Sequence, residues 1–96
     1  MREAQIESYL RDEIKRLGGR AYKFVSPGHR GVPDRLVLLP GGHVVFVELK
    51  APGRTSTALQ AKQQHDMRAL GCRVEVISTK AGVDAFVSSC REVMSA

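Results

Sequence analysis

Pro33-Asp34 and, fourteen residues beyond Asp34, Glu48-Leu49-Lys50 are the residues of this chain whose types and spacing could do chemistry. On a strand, side chains two apart share a face, so Phe46, Glu48 and Lys50 point one way while Val45, Val47 and Leu49 point the other. A carboxylate beside an ammonium where an apolar strand ends costs desolvation that one ion pair seldom offsets. A site explains the pair better than stability does. Asp34 joins them in only one register. If Gly41-Gly42 alone made a two-residue hairpin loop, Asp34 would pair with Leu49 and point away from Glu48; if Pro40-Gly41-Gly42 is the loop, Leu39 pairs with His43 and Asp34 lies opposite Glu48. The three-residue loop is favoured, because its last position calls for a left-handed backbone that Gly42 adopts without steric cost. Directly opposed Cβ atoms sit roughly 5 Å apart, and two carboxylates at that spacing repel unless a cation lies between them. Oxygen donors without a thiolate or paired histidines suit Mg2+ or Mn2+, which keep several waters and also bind phosphate oxygens.

Hydrophobic spacing and Gly/Pro punctuation define the elements that must position these residues. Ile6, Tyr9, Leu10, Ile14 and Leu17 recur at helical spacing over Arg2–Leu17, and Gly18-Gly19 supplies the stop. Strands are expected over Arg20–Val25, Pro33–Leu39 and His43–Lys50, with Ser26–Gly31 a basic loop between the first two. The run Val44-Val45-Phe46-Val47 is apolar on both faces and predicts a central strand covered above and below. A second helix is expected over Thr55–Leu70, ended by Gly71, then a strand over Arg73–Ser78 and a last helix from Gly82 to Met94 packing Val83, Phe86, Val87 and Val93. Gln63, Gln64 and His65 read as exposed helix surface, and Cys72 and Cys90 as small buried apolar residues.

At 96 residues, 43 % hydrophobic and 26 % charged, the chain reads as one domain spanning 1–96, without repeat, linker or low-complexity tract. Val32–Pro40 and Val44–Leu49, the longest mostly apolar runs, fall far short of the roughly 20 residues that cross a bilayer. No basic-then-apolar leader opens the chain, so a soluble, unexported protein is expected. Two cysteines are too few for a disulfide scaffold or a structural zinc cluster, and a reducing cytoplasm fits them best. Fifteen Lys plus Arg against ten Asp plus Glu leave a net charge of +5, which favours a polyanionic partner. Nucleic acid leads, because no strongly basic amphipathic helix suits a membrane surface. His29 and Arg30 in the first basic loop and Arg54 in the Ala51–Arg54 loop are candidate phosphate contacts, although a lone loop histidine is ordinarily solvated. No aromatic stacking platform or recognition helix is visible, so backbone charge and shape should dominate target choice.

Pro33-Asp34 with Glu48-Leu49-Lys50 resembles the PD-(D/E)XK nuclease pattern in residue type, spacing and element order. The wider context is similar to the VRR-NUC family in its small, stand-alone, phage-type form. It comprises Gly31-Val32-Pro33-Asp34-Arg35, Val45-Phe46-Val47-Glu48-Leu49-Lys50-Ala51-Pro52-Gly53, Leu59-Gln60 and Leu70-Gly71, and it spans nearly the whole chain. The resemblance implies an α/β restriction-endonuclease-like core, helix-strand-strand-strand-helix-strand-helix, around a central mixed sheet. It implies a Mg2+- or Mn2+-dependent deoxyribonuclease acting on branched DNA, flapped or four-way, in a bacterial or phage-infected cell. Asp34 and Glu48 would hold the metal with the backbone carbonyl of Leu49, Lys50 would orient or activate the attacking water or stabilise phosphorane charge, and Gln60 would stand near the site. Gln60 also fits as the third residue of a capping box opened by Thr57. The family's first-helix glutamate matches Glu3, with Glu7 one turn on as the alternative and a solvent-facing role open to both. Some members are homodimers that cut four-way junctions. A two-fold junction needs two sites at a fixed separation, so a dimer is expected here, built from apolar faces of the first or last helix. The competing reading is a non-catalytic nucleic-acid-binding subunit of a helicase or phage replication and recombination assembly, and a helicase partner fits either reading.

Overall fold

Ile6, Leu10 and Ile14, each four residues from the next, form the inward stripe of the first helix, and all three are fully buried. Gly18 then takes φ +86° and turns the chain into the sheet. The computed structural model describes residues 1–96 as α1 (Glu3–Arg16), β1 (Arg20–Lys23), β2 (Arg35–Leu39), β3 (His43–Leu49), α2 (Ala58–Ala69), β4 (Arg73–Ile77) and α3 (Lys80–Ser95). Every expected element is present in the expected order.

The sheet is mixed, in spatial order β1-β2-β3-β4, with β1, β2 and β3 antiparallel neighbours and β4 parallel to β3. A parallel return needs a crossover, which α2 supplies. In the hairpin Leu39 pairs with His43, Val37 with Val45 and Arg35 with Val47, so Pro40-Gly41-Gly42 is the loop. Gly42 takes φ +80° as its turn position requires, and Gly41 does the same at +89°.

The core lies between α1 and α3 and one face of the sheet, where Val37, Leu39, Val45, Val47, Leu49 and Ile77 meet Val83, Phe86, Val87 and Cys90. Cys90 is buried as expected, and Cys72 is half-buried. On the opposite face α2 stands alone and packs against β4. The expectation that β3 is covered on both faces therefore fails at its start. Val44 is 47 % exposed, and Tyr22 and Leu38 beside it are open as well. One helix cannot roof four strands.

Two of the shifted boundaries have clear local reasons. β2 begins at Arg35 rather than Pro33, because proline has no N–H to give the ladder, although the Asp34 carbonyl still accepts from Phe24 N at 2.9 Å. α3 begins at Lys80 rather than Gly82. Thr79 caps it by accepting from Gly82 N at 2.9 Å, and a Cβ at residue 82 would press on Thr79 Oγ1 and Ile77 Cγ2.

Leu10 is fully buried between α1, α3 and the sheet. Leu10→Ala should lower stability by about 2–5 kcal/mol, seen as a lower urea midpoint at unchanged slope. A midpoint like that of the parent protein would mean that α1 is not seated in this core.

Candidate active site

The hairpin register that buries Val37 against Val45 carries Asp34 to the position opposite Glu48, on the face away from α1 and α3. Asp34 Oδ1 accepts a hydrogen bond from Leu49 N at 3.1 Å, so the carboxylate is held across the end of β3. Glu48 is 5 % exposed. Burial is the largest cause pushing its carboxyl up from an ordinary 4.5 to about 7, the charge of Asp34 is the next, and Lys50 pulls the other way. The Asp34–Glu48 pair thus concentrates negative charge in a poorly solvated place.

Lys50 lies two residues beyond Glu48, and its backbone N–H is fixed to the Ile77 carbonyl at 2.9 Å. Its Nζ stands 3.8 Å from Glu48 Oε2 and donates a hydrogen bond to Gln60 Oε1. Gln60 Oε1 also accepts from Thr57 N at 3.0 Å, while Thr57 Oγ1 accepts from Gln60 N at 3.2 Å, which completes a capping box. Gln60 thus completes the cap of α2 and also contacts Lys50. The capping box that opens α2 is therefore coupled through Gln60 to the Lys50 ammonium.

Glu3 and Glu7 separate in the structure. Glu3, at the start of α1, borders a cavity of about 360 Å3 with Lys50, Ala51, Arg54, Thr55 and Thr57, and its charge is felt at Glu48. Glu7 instead forms an ion pair with Arg35 on β2. Arg54 opens onto the same cavity, behind a turn in which its N–H bonds to the Ala51 carbonyl at 3.0 Å. His29 and Arg30 are exposed on the loop between β1 and β2. That loop is seated on α2. Gly31, at φ +83°, lies so close to the Leu59 backbone that a Cβ would come within 3.0 Å, and Gln63 Nε2 donates to the Arg30 carbonyl at 3.2 Å. Side-chain oxygens are the ligands on offer, but no three Asp, Glu, His or Cys side chains are grouped so as to hold a metal ion by themselves. That donor set fits a hard cation that retains water.

Two glutamines depart from the expectation of exposed helix surface. Gln64 is 5 % exposed and donates to Ser56 Oγ at 3.0 Å, and Gln63 is half-buried against the loop. The signal was present in their spacing, since positions three and four beyond Gln60 share its face. His65 is exposed as expected. Arg35 gave no such signal, and its partner on α1 emerges only from the packing.

A mixed sheet with Pro-Asp leading into one strand, and Glu-x-Lys at the end of its antiparallel neighbour, defines a PD-(D/E)XK nuclease core. No family model matches the chain. The chain is 51 % identical over 80 residues to "Putative nuclease p44" of Acyrthosiphon pisum secondary endosymbiont phage 1, a match spanning 83 % of this chain and 86 % of that protein. A solved structure described as a VRR_NUC domain superposes with a TM-score of 0.85 at 30 % identity, covering 90 % of this chain and 94 % of the other. The chain belongs to the VRR-NUC family of nuclease domains.

Proposed function

We propose that the protein is a divalent-metal-dependent deoxyribonuclease that hydrolyses phosphodiester bonds in branched DNA. The observation that carries the reading is the meeting of Asp34, Glu48, Lys50 and Gln60 where β3 ends, next to a cavity rimmed by Arg54. Asp34 and Glu48, with the Leu49 carbonyl and Glu3, would hold Mg2+ or Mn2+, and a cation there would offset the burial and the Asp34 charge that raise the Glu48 carboxyl. When bound, such an ion acidifies the attacking water and opposes charge building on the phosphoryl oxygens.

The chain's own residues do the rest. Lys50, held by Gln60, presents a fixed positive charge to the scissile phosphate, and because its ammonium is already oriented little reorganisation accompanies the reaction. Arg54 at the cavity rim and His29 and Arg30 on the loop seated on α2 take the flanking phosphates. These contacts read backbone and shape, which suits a branch point more than a base sequence. Cutting a four-way junction symmetrically takes two copies, and a two-fold homodimer is part of this reading.

The exposed side chains favour a dimer surface other than α1 or α3. None of the large exposed apolar side chains belongs to α1 or α3, whereas Tyr22, Leu38 and Val44 form an open patch on the sheet face shared with the site. A reducing cytoplasm of a bacterial or phage-infected cell is the compartment that fits, and no helix is long and apolar enough to cross a membrane.

The test is a panel of labelled linear, flapped and four-way DNA incubated with Mg2+ or Mn2+, with the mass in solution measured at micromolar concentration. Cutting concentrated at branch points by a dimer is expected, and replacing His29 and Arg30 together with alanine should weaken binding to every DNA by a similar factor. Equal cutting of all three DNAs would refute branch selectivity. A persistent monomer on junction DNA would refute the paired-site reading, and binding without cutting would make the domain a silent subunit of a helicase or phage assembly.

A further inference from the structure

Arg35 lies on the apolar face of β2, in line with Val37 and Leu39, and is 7 % exposed. Its guanidinium pairs with Glu7 on α1, while its Nε has no hydrogen-bond partner at all. Stability is a poor reason for this arrangement, since the Arg35 guanidinium is desolvated while Glu7 is only half-buried, and an apolar side chain of similar volume commonly matches or exceeds such a charge. Its placement suggests another. Arg35 immediately follows Asp34 in the chain, and Glu7 lies one helical turn beyond Glu3, so the pair links α1 to the sheet at the level of the site. The other inward residues of α1 are Ile6, Leu10 and Ile14, whose contacts have no preferred direction. The hydrogen bond from Tyr9 to Asp84 ties α1 to α3, not to the strands that carry the carboxylates.

We propose that Arg35 is a positioning residue, which locks the rotation and axial height of α1 through Glu7 and so sets Glu3 at the rim of the cavity that contains Lys50. The inference rests on the metal-site reading above and adds to it a route by which a core residue controls one ligand. Removing the link leaves Asp34 and Glu48 in place and lets α1 settle with Glu3 farther from the ion. Loss of an outer-shell partner typically weakens metal binding about 10–100-fold.

Mn2+ binding to the intact protein, followed by the electron paramagnetic resonance of the free ion, tests this in a double-mutant cycle together with thermal unfolding. Arg35→Met with Glu7→Leu should keep the parent Tm within a few degrees and raise the Mn2+ Kd about tenfold. Glu3→Gln should raise it by a similar factor in the parent and add almost nothing in the double variant, and Arg35→Lys should recover part of the loss. Glu7→Gln keeps the shape of the side chain and removes its charge, and it gives the same comparison if the double variant folds poorly. Unchanged Mn2+ affinity in a folded Arg35→Met, Glu7→Leu protein would overturn the inference, as would losses that simply multiply with Glu3→Gln. The two failures are distinguishable. If the parent binds no Mn2+, or Asp34→Asn binds it as well as the parent, the metal site itself is wrong and the inference falls with it.

Discussion

Asp34→Asn and Glu48→Gln should each reduce DNA cleavage by more than a hundredfold while leaving DNA binding and the fold largely intact. The size of the effect follows from position. Loss of a residue that merely supports a metal ligand costs roughly 10–100-fold, and these two carboxylates are the proposed ligands themselves, held opposite one another by the hairpin register. Each substitution keeps the shape of the side chain and removes one negative charge, so in Asp34→Asn the amide oxygen can still accept from Leu49 N. DNA binding should survive because Arg54, His29 and Arg30 lie outside the pair, and binding should strengthen slightly as the local negative charge falls. Single-turnover cleavage and a filter-binding titration measure the two properties separately. Parent-like cleavage in either variant would remove these residues from the site.

The second large effect is on stability and needs no DNA. Glu48 has its carboxyl raised to about 7 by burial and then by Asp34, against an ordinary 4.5 for the unfolded chain. The folded state therefore favours the protonated form. Between those values the native protein binds more protons than the unfolded one, so stability contributed by this group is fully present below about pH 4.5 and is lost as pH rises through 7. The loss amounts to about 3 kcal/mol when complete. Glu48→Gln has no proton to lose, so it should match the parent near pH 4.5 and exceed it in stability by up to about 3 kcal/mol at pH 8. Saturating Mg2+ or Mn2+ should narrow that gap by stabilising the parent alone, since a cation bound only to the folded state shifts the equilibrium by mass action. Denaturant unfolding at the two pH values, with and without metal, gives all the numbers. A gap that stays constant with pH would mean that Glu48 is ionised and well solvated in the folded protein.

Strand geometry made the placement of these residues legible in the sequence. Period-two alternation places Glu48 and Lys50 together, and the Pro40-Gly41-Gly42 turn decides that Asp34 faces them; both inferences use only strand geometry and glycine's freedom at positive φ, and both appear in the structure. Local rules of this kind carry the element order and the capping role of Gln60 as well. What could not be read depends on contacts between distant elements. The different surroundings of Glu3 and Glu7 turn on which of them meets Arg35, and that follows from how α1 sits on the sheet, with the paired groups 28 positions apart in the chain. Coverage of β3 was overread for a similar reason. An apolar strand signals burial, but the number of helices on each face is a property of the whole fold, and here two lie on one side and one on the other. Tyr22, Leu38 and Val44 remain open as a result.

Metal-dependent hydrolysis at Asp34 and Glu48 is tested most directly by cleavage of one labelled four-way junction by the purified protein across a titration of Mg2+ or Mn2+, with a chelator control and Glu48→Gln alongside. No cutting is expected in chelator, cutting should rise and saturate as metal is added, and Glu48→Gln should cut at no metal concentration that saturates the parent. Cutting that persists in chelator, or that Glu48→Gln shares with the parent, would contradict this mechanism.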